Sequence, residues 1–252
     1  MSELTGEQAR ELLSDWDEQQ AAYVAYREDR FTVMLDLLRL QLGESFTVLD
    51  LACGPGAISE RVLTAFPGAT TVAVDYDPVL LRIARGVLAR HGDRARVLDA
   101  DLIATGWAEQ VGPVDAVLSS TALHWLSPAQ LLDVYGTAAG LLRPGGLLLN
   151  ADHLRFDDRS PTLRELSARH DERTQEAGFA AGAKNYGEWY AEAARHPELA
   201  ALDPVREKRF ADKPPQPDAP LEFHLAALRA AGFAEVGTAW QYLDDYVVFA
   251  RR

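Results

Sequence analysis

VLDLACGPGAIS, residues 48–59, reads as a buried strand, a tight glycine turn and the start of a helix. Asp50 closes a short β run that begins at Phe46. Gly54 and Gly56 remove side chains where the backbone must turn sharply and let a ligand approach before the helix begins. A dinucleotide site of the pattern G-x-G-x-x-G/A seats a pyrophosphate on the helix N-terminus. Here the third position is Ser59, and a carboxylate stands four residues before the first glycine, where an anion is disfavoured. The same glycines also suit an ordinary strand-to-helix turn.

Upstream, Phe31, Met34, Leu35, Leu38 and Leu42 share one helical face and Gly43 supplies a stop, so the pattern predicts a helix over 28–42. Downstream, Pro67-Gly68 ends the first helix of the core, and Thr70 to Asp75 is a second strand rich in β-branched residues. Asp77-Pro78 and Ser127-Pro128 are N-caps followed by a proline at the first helical position, predicting helices to about His91–Gly92 and to about Leu142. Arg96 to Asp99, Asp115 to Ser120 and Leu147 to Asn150 complete five strands, the last entered through a Pro144-Gly145-Gly146 turn. Strands alternating with helices imply a parallel, doubly wound α/β sheet with right-handed crossovers.

The rhythm then breaks. Ser160-Pro161 starts a helix ending near Gly178, the stretch to Leu202 reads as helical and aromatic-bearing, and Lys213 to Pro220 is a proline-rich connector. Leu221 to Ala231 predicts another helix, and Ala234 to Tyr242 and Tyr246 to Ala250 flank Leu243-Asp244-Asp245 as an antiparallel hairpin. The expected architecture is a mostly parallel seven-stranded sheet closed by this hairpin. It divides into a helical segment 1–43, a Rossmann-like core 44–151 plus 220–252, and a helical insertion 152–219 after the fifth strand.

Composition narrows the function. A chain of 252 residues, 48% of them hydrophobic, buries a sizeable core, and its net charge of −13 makes it a poor partner for a phosphate backbone. Cys53 is the only cysteine, which leaves no intrachain disulfide and no paired thiols for a metal. No run of about 18 apolar residues exists, and the N-terminus is polar and acidic, so a cytoplasmic protein that binds neither membrane nor nucleic acid nor metal is expected, a homodimer being open to it.

Asp75, at the end of the second strand, suits the two hydroxyls of a ribose, in NAD enzymes as in others, and is equally readable as a solvated strand-end carboxylate. Asp101-Leu102, after the third strand, offers a carboxylate and a backbone N–H to an adenine edge. VLDLACGPGAIS, TTVAVDYDP, RVLDADL, DAVLSSTALHWL and LLRPGGLLLN, in this order and spacing and with the closing hairpin, resemble the successive motifs of class I S-adenosylmethionine-dependent methyltransferases, over about 48–150 and 221–252. Ala52 stands where that family usually has glycine. ALHWL further resembles the small-molecule branch typified by trans-aconitate methyltransferase.

The resemblance implies S-adenosylmethionine as methyl donor and a small-molecule acceptor. It implies that Asp50 and the turn Ala52, Cys53, Gly54 to Gly56 hold the methionine portion, Asp75 the ribose, Tyr76 an adenine face, Asp101 and Leu102 the adenine edge, and Ser119 the methionine end. Tyr23, Tyr26 and Arg30 lie in a segment resembling the family's N-terminal helix, from which Tyr23 and Arg30 are expected to reach the cofactor; tyrosines so spaced also make a plain helix face. His124, just past the fourth strand, is the candidate general base, with a structural histidine as its alternative, and Trp125 beside it either walls the pocket or packs. The insertion, with Arg155, Arg159, Arg164, His170 and the aromatics Phe156, Phe179, Tyr186, Trp189 and Tyr190, is expected to cover the acceptor or else to form its own small core or a dimer contact. An NAD-linked oxidoreductase and a non-catalytic S-adenosylmethionine-binding partner protein are the rival readings.

Overall fold

The computed structural model of the chain describes residues 3–212, 215–217 and 219–252, so Lys213, Pro214 and Asp218 of the expected connector lie outside the described residues. Seven strands form one sheet in the order β3-β2-β1-β4-β5-β7-β6: β1 Thr47–Leu51, β2 Thr70–Asp75, β3 Ala95–Asp99, β4 Val114–Ser120, β5 Leu142–His153, β6 Glu235–Tyr242 and β7 Asp245–Arg251. β1 to β5 are parallel, and β7 runs antiparallel to both β5 and β6. The doubly wound sheet with its antiparallel hairpin is the architecture the sequence predicts.

Period-two alternation splits the strand side chains between two apolar layers. Leu49 and Leu51 of β1, Val117 of β4 and Leu148 of β5 face a layer built with α5, Pro128–Leu141, and α10, Leu221–Ala230. Val48, Ala116, Leu118, Leu147 and Leu149 face the opposite layer, where Phe31, Met34 and Leu38 of α2, Arg27–Leu42, meet Ile58 and Val62 of α3, Ala57–Ala65. A third apolar group joins α1, Gly6–Tyr23, to α4, Pro78–Leu88, and to the insertion through the fully buried Trp189.

Both predicted cap-plus-proline starts are present: Asp77 Oδ1 accepts from the Val79 and Leu80 amides, and Ser127 forms a reciprocal capping box with Gln130. α4 is shorter than expected; it ends at Leu88 and passes into a 3₁₀ segment kinked at Gly92. The expected turn at Pro144–Gly146 is instead part of β5. Gly145 has a φ of 81°, and the pairing with β4 shifts register between Val114 and Ala116, so the glycines admit an irregularity within one strand. β5 also runs on to His153, which places Asp152 in the sheet.

The insertion comprises α6 Pro161–Ala180, α7 Tyr186–Ala193, α8 Pro197–Ala200 and α9 Asp203–Phe210. It packs with α1 as one body against α4. Close helix approach rests on missing side chains: a Cβ on Gly86 would lie 2.6 Å from Ala9 Cβ, and one on Gly178 would lie 2.5 Å from Ala22 Cβ. Ion pairs tie the same body to the core, Arg82 to Glu198, Arg206 to Asp77 and Arg209 to Asp99. Among the described residues no helix is long and apolar enough to cross a membrane.

Candidate functional site

At the C-terminal ends of β1, β2 and β4 lies a cleft of about 580 Å³. Ligands of open α/β sheets bind there, because the strand order reverses and the following loops diverge. Asp50, Ala52, Cys53, Gly54 and Asp75 form one wall; Trp16, Gln20, Tyr186, Tyr190, Arg206 and Phe210, from α1 and the insertion, form the other.

Asp50 is fully buried. Its Oδ2 accepts from the Ser59 hydroxyl at 2.7 Å and the Ser59 amide at 3.2 Å, while Oδ1 has no hydrogen-bond partner among the described residues. Burial raises its pKa to about 7 against the lowering effect of the Ser59 hydrogen bonds. An orphaned carboxylate oxygen in a cleft wall suits a ligand ammonium. Asp75 accepts three backbone amides: Gly54 on Oδ2, Tyr76 and Asp77 on Oδ1, each at 2.7 Å. Burial still lifts its pKa to about 6. This carboxylate therefore holds the glycine turn in shape, with a remaining lone pair for a ligand hydroxyl.

Ala52 has a φ of 53°, a left-handed conformation that L-residues avoid. That is the physical reason for glycine at this position of the motif. Ala52→Gly should raise the unfolding free energy by roughly 0.5–1 kcal/mol, the relief of the strained φ exceeding the entropy of a freer unfolded chain; a lower urea midpoint would contradict the strain. Gly54 (φ 55°) has open space where a Cβ would point, whereas a Cβ on Gly56 (φ 92°) would touch Ala84 and Leu88 of α4 at 3.5 Å. Gly54 leaves room toward a ligand; at Gly56 a Cβ would make only ordinary contact with α4, and the left-handed φ is what calls for glycine. Cys53 lines the cleft as a buried thiol that burial pushes well above its usual pKa, so it is no ready nucleophile.

Other expected contacts are not brought to the cleft. The Ser119 hydroxyl donates to the Leu51 carbonyl at 3.0 Å within the sheet, and the neighbouring Ser120 to Ala122 line the cleft instead. Asp101 Oδ1 accepts the Ile103 amide, and Leu102 is partly buried against the apolar layer that contains α5 and α10. The Tyr76 ring is occupied by Arg209, whose guanidinium carbon lies 4.7 Å from its centroid, and by the edge of Phe210. Tyr23 packs on Tyr186 and Phe179 and borders the cleft only through Tyr186.

Arg30 corrects the expectation most clearly. It is fully buried and its Nη1 donates to Asp245 at 3.0 Å, because α2 packs on β5 and β7 and carries this side chain under the hairpin. Burial lowers its pKa despite the carboxylates of Asp245 and Asp152.

His124 and Trp125 occupy one 3₁₀ turn, Leu123–Trp125, yet line different spaces: Trp125 borders the cleft, and His124 borders a second cavity, also about 580 Å³, between that turn, the end of β5 and the insertion. His124 Nδ1 lies 2.6 Å from Asp152 Oδ1, and its amide donates to Oδ2 at 3.1 Å. Burial alone would raise the Asp152 pKa, but the charge and hydrogen bond of His124, with His153 and His224 nearby, lower it to about 2. An ionised carboxylate accepts only, so Nδ1 carries the proton and Nε2 is left as the basic nitrogen.

Sequence reasoning missed Asp152, Asp77 and Arg206. Asp77 Oδ2 accepts from Tyr190 Oη at 2.9 Å and Arg206 Nε at 2.6 Å, and the Arg206 guanidinium lies 3.7 Å over the Tyr190 ring. Partners so far apart along the chain leave no local signal. Asp152 was within reach, since two-residue alternation from Asn150 places it at the same strand end.

Residues 48–146 match the family model described as "Methyltransferase domain". A trans-aconitate 2-methyltransferase of Azoarcus sp. (strain BH72) is 35% identical over 150 residues, covering 59% of this chain and 54% of its own; the chain spans about half the length of the curated relatives it matches. An O-methyltransferase family protein from Burkholderia thailandensis superposes with a TM-score of 0.57 at 22% identity, over 98% of this chain and 71% of that one. Human N-acetylserotonin methyltransferase, in complex with S-adenosylmethionine, gives 0.57 at 15% identity over 98% and 56%. Residues 48–146 thus match a methyltransferase-domain model, and the chain shares its fold with these solved methyltransferases.

Proposed function

We propose that the chain transfers the methyl group of S-adenosylmethionine to an O, N or C atom of a small molecule. The observation that carries this reading is the unpartnered Asp50 Oδ1 in the wall of a cleft whose glycine turn is held by Asp75. Asp50 receives the methionine ammonium, Gly54 lets the backbone approach, and Asp75 accepts a ribose hydroxyl. A pyrophosphate would meet the Asp50 carboxylate, which counts against the NAD-linked alternative. Bound S-adenosylmethionine supplies a methyl group already activated on sulfur, so the protein's task is to align the acceptor and exclude water. His124 takes the acceptor proton on Nε2, and Asp152 holds the imidazole in that tautomer. The acceptor's reacting atom must meet the methyl group in the cleft, and the insertion lines both that space and the second cavity. The curated relatives are named for trans-aconitate; the acceptor of this chain is a separate question.

S-adenosylhomocysteine should bind measurably in calorimetry and NADH should not; the reverse would overturn the reading, and labelled methyl incorporation into an acceptor separates an enzyme from a binding protein. The affinity should depend on pH with a definite sign. Asp50 must be ionised to take an ammonium, and burial holds its pKa at about 7, so protons compete with the ligand as pH falls. Between about pH 7.5 and about pH 5.5 the affinity should drop by roughly tenfold or more, with proton release on binding near the lower end. A flat profile would remove Asp50 from the ammonium site.

A further inference from the structure

Strand order gives the cofactor cleft a direction. Asp50 lies on β1 and Asp75 ends β2, and the next strand outward is β3, which ends at Asp99. A molecule whose ammonium meets Asp50 and whose ribose meets Asp75 therefore points its base toward the end of β3. Helix α9 covers that end. Arg209 donates to both carboxylate oxygens of Asp99, at 2.7 and 3.0 Å, and to the Tyr76 carbonyl at 2.6 Å, while its guanidinium lies on the Tyr76 ring. Tyr76, Asp101 and Leu102 are absent from the described residues that line the cleft. On the β2 side the lining residues are instead Asp77 and Leu80, from the start of α4, with Tyr190, Arg206 and Phe210 of the insertion. The rings there are not equally available. Arg206 lies 3.7 Å over Tyr190 and Arg209 lies 4.7 Å over Tyr76, whereas the half-buried Phe210 has Arg206 no closer than 5.5 Å to its centroid.

We infer that α9 supplies the base-binding surface of the cofactor cleft, the purine stacking on Phe210 beside the Arg206 guanidinium, in place of Tyr76, Asp101 and Leu102. The inference rests on the reading of the cleft as an S-adenosylmethionine site. A phenyl ring offers the π-face that a purine stacks on, and a guanidinium is planar and weakly hydrated enough to flank it. The pairs Arg206–Asp77 and Arg209–Asp99 hold α9 over the strand ends, so the insertion belongs to the cofactor site as well as to whatever covers the acceptor.

Calorimetry with S-adenosylhomocysteine tests this, with melting temperature followed in parallel. Phe210→Ala and Phe210→Leu should each weaken binding by roughly tenfold, and Phe210→Trp should stay within about threefold of wild type, because leucine restores volume without a π-face. Asp101→Ala should stay within about twofold, the effect expected of a residue outside the site. A loss in the alanine variant that leucine restores would assign Phe210 to packing and overturn the proposal. So would a loss from Asp101→Ala with Phe210→Ala unchanged. In the wild-type complex, nuclear Overhauser effects should connect adenine H2 or H8 to the Phe210 ring, and their absence overturns the stacking whatever the variants do. Wild-type binding that is indifferent to Phe210 strikes the role of α9 alone; a wild-type protein that does not bind S-adenosylhomocysteine strikes the methyl-transfer reading and this inference together.

Discussion

Replacing His124 with glutamine should lower kcat by about 10²–10⁴, measured on whichever acceptor incorporates label, with S-adenosylhomocysteine affinity within about twofold of wild type. The reason lies in the 2.6 Å contact between Nδ1 and Asp152, a carboxylate held at a pKa of about 2. It places the imidazole proton on Nδ1 and leaves Nε2 basic. Glutamine has no such base. Because Trp125, not His124, borders the cofactor cleft, the substitution should spare cofactor binding. Nitrogen NMR of the imidazole gives an independent reading: protonation at Nδ1 supports the assignment, and protonation at Nε2 contradicts it. A fall in melting temperature with kcat unchanged would make His124 a structural partner of Asp152.

Asp75→Ala should do more damage to the fold than a ligand-only role would imply. Its carboxylate accepts the Gly54, Tyr76 and Asp77 amides, so removing it strands three donors in a largely buried turn. At about 1–3 kcal/mol for each unsatisfied buried donor, partly relieved by water entering the cleft, a loss of about 3 kcal/mol or more of unfolding free energy is expected. The affinity for S-adenosylhomocysteine should fall with it, since the turn that lines the cleft loses its anchor. Asp75→Asn, which keeps an acceptor oxygen, should recover part of the stability. Urea unfolding of both variants checks the order; an alanine variant as stable as wild type would show that the amides find other partners.

The sheet, its order of elements and its glycine turn were legible in local pattern. Alternating apolar residues, Asp77-Pro78, Ser127-Pro128 and the two-strand ending each act through neighbours in the chain, so the sequence states them directly. That Asp50, Ala52, Cys53, Gly54 and Asp75 lie together at one cleft was legible for the same reason, as they sit at strand ends whose positions the pattern sets. Even the strain at Ala52 announces itself as a departure from glycine.

The rest depended on distance through space. Arg30 looked like a cofactor contact from its place near the N-terminal helix, but the packing of α2 on β5 and β7 carries it to Asp245, a residue 215 positions away. Ser119 and Ser120 are indistinguishable in sequence, and the pleat of β4 decides which one reaches the cleft. The pairing of His124 with Asp152 needs β4 and β5 to be neighbours in register, and the second wall of the cleft needs Gly86 and Gly178 to let α1 lie against α4 and α6. These contacts are set by how helices and strands close on one another, a cooperative outcome of burying apolar faces that no short stretch of residues contains.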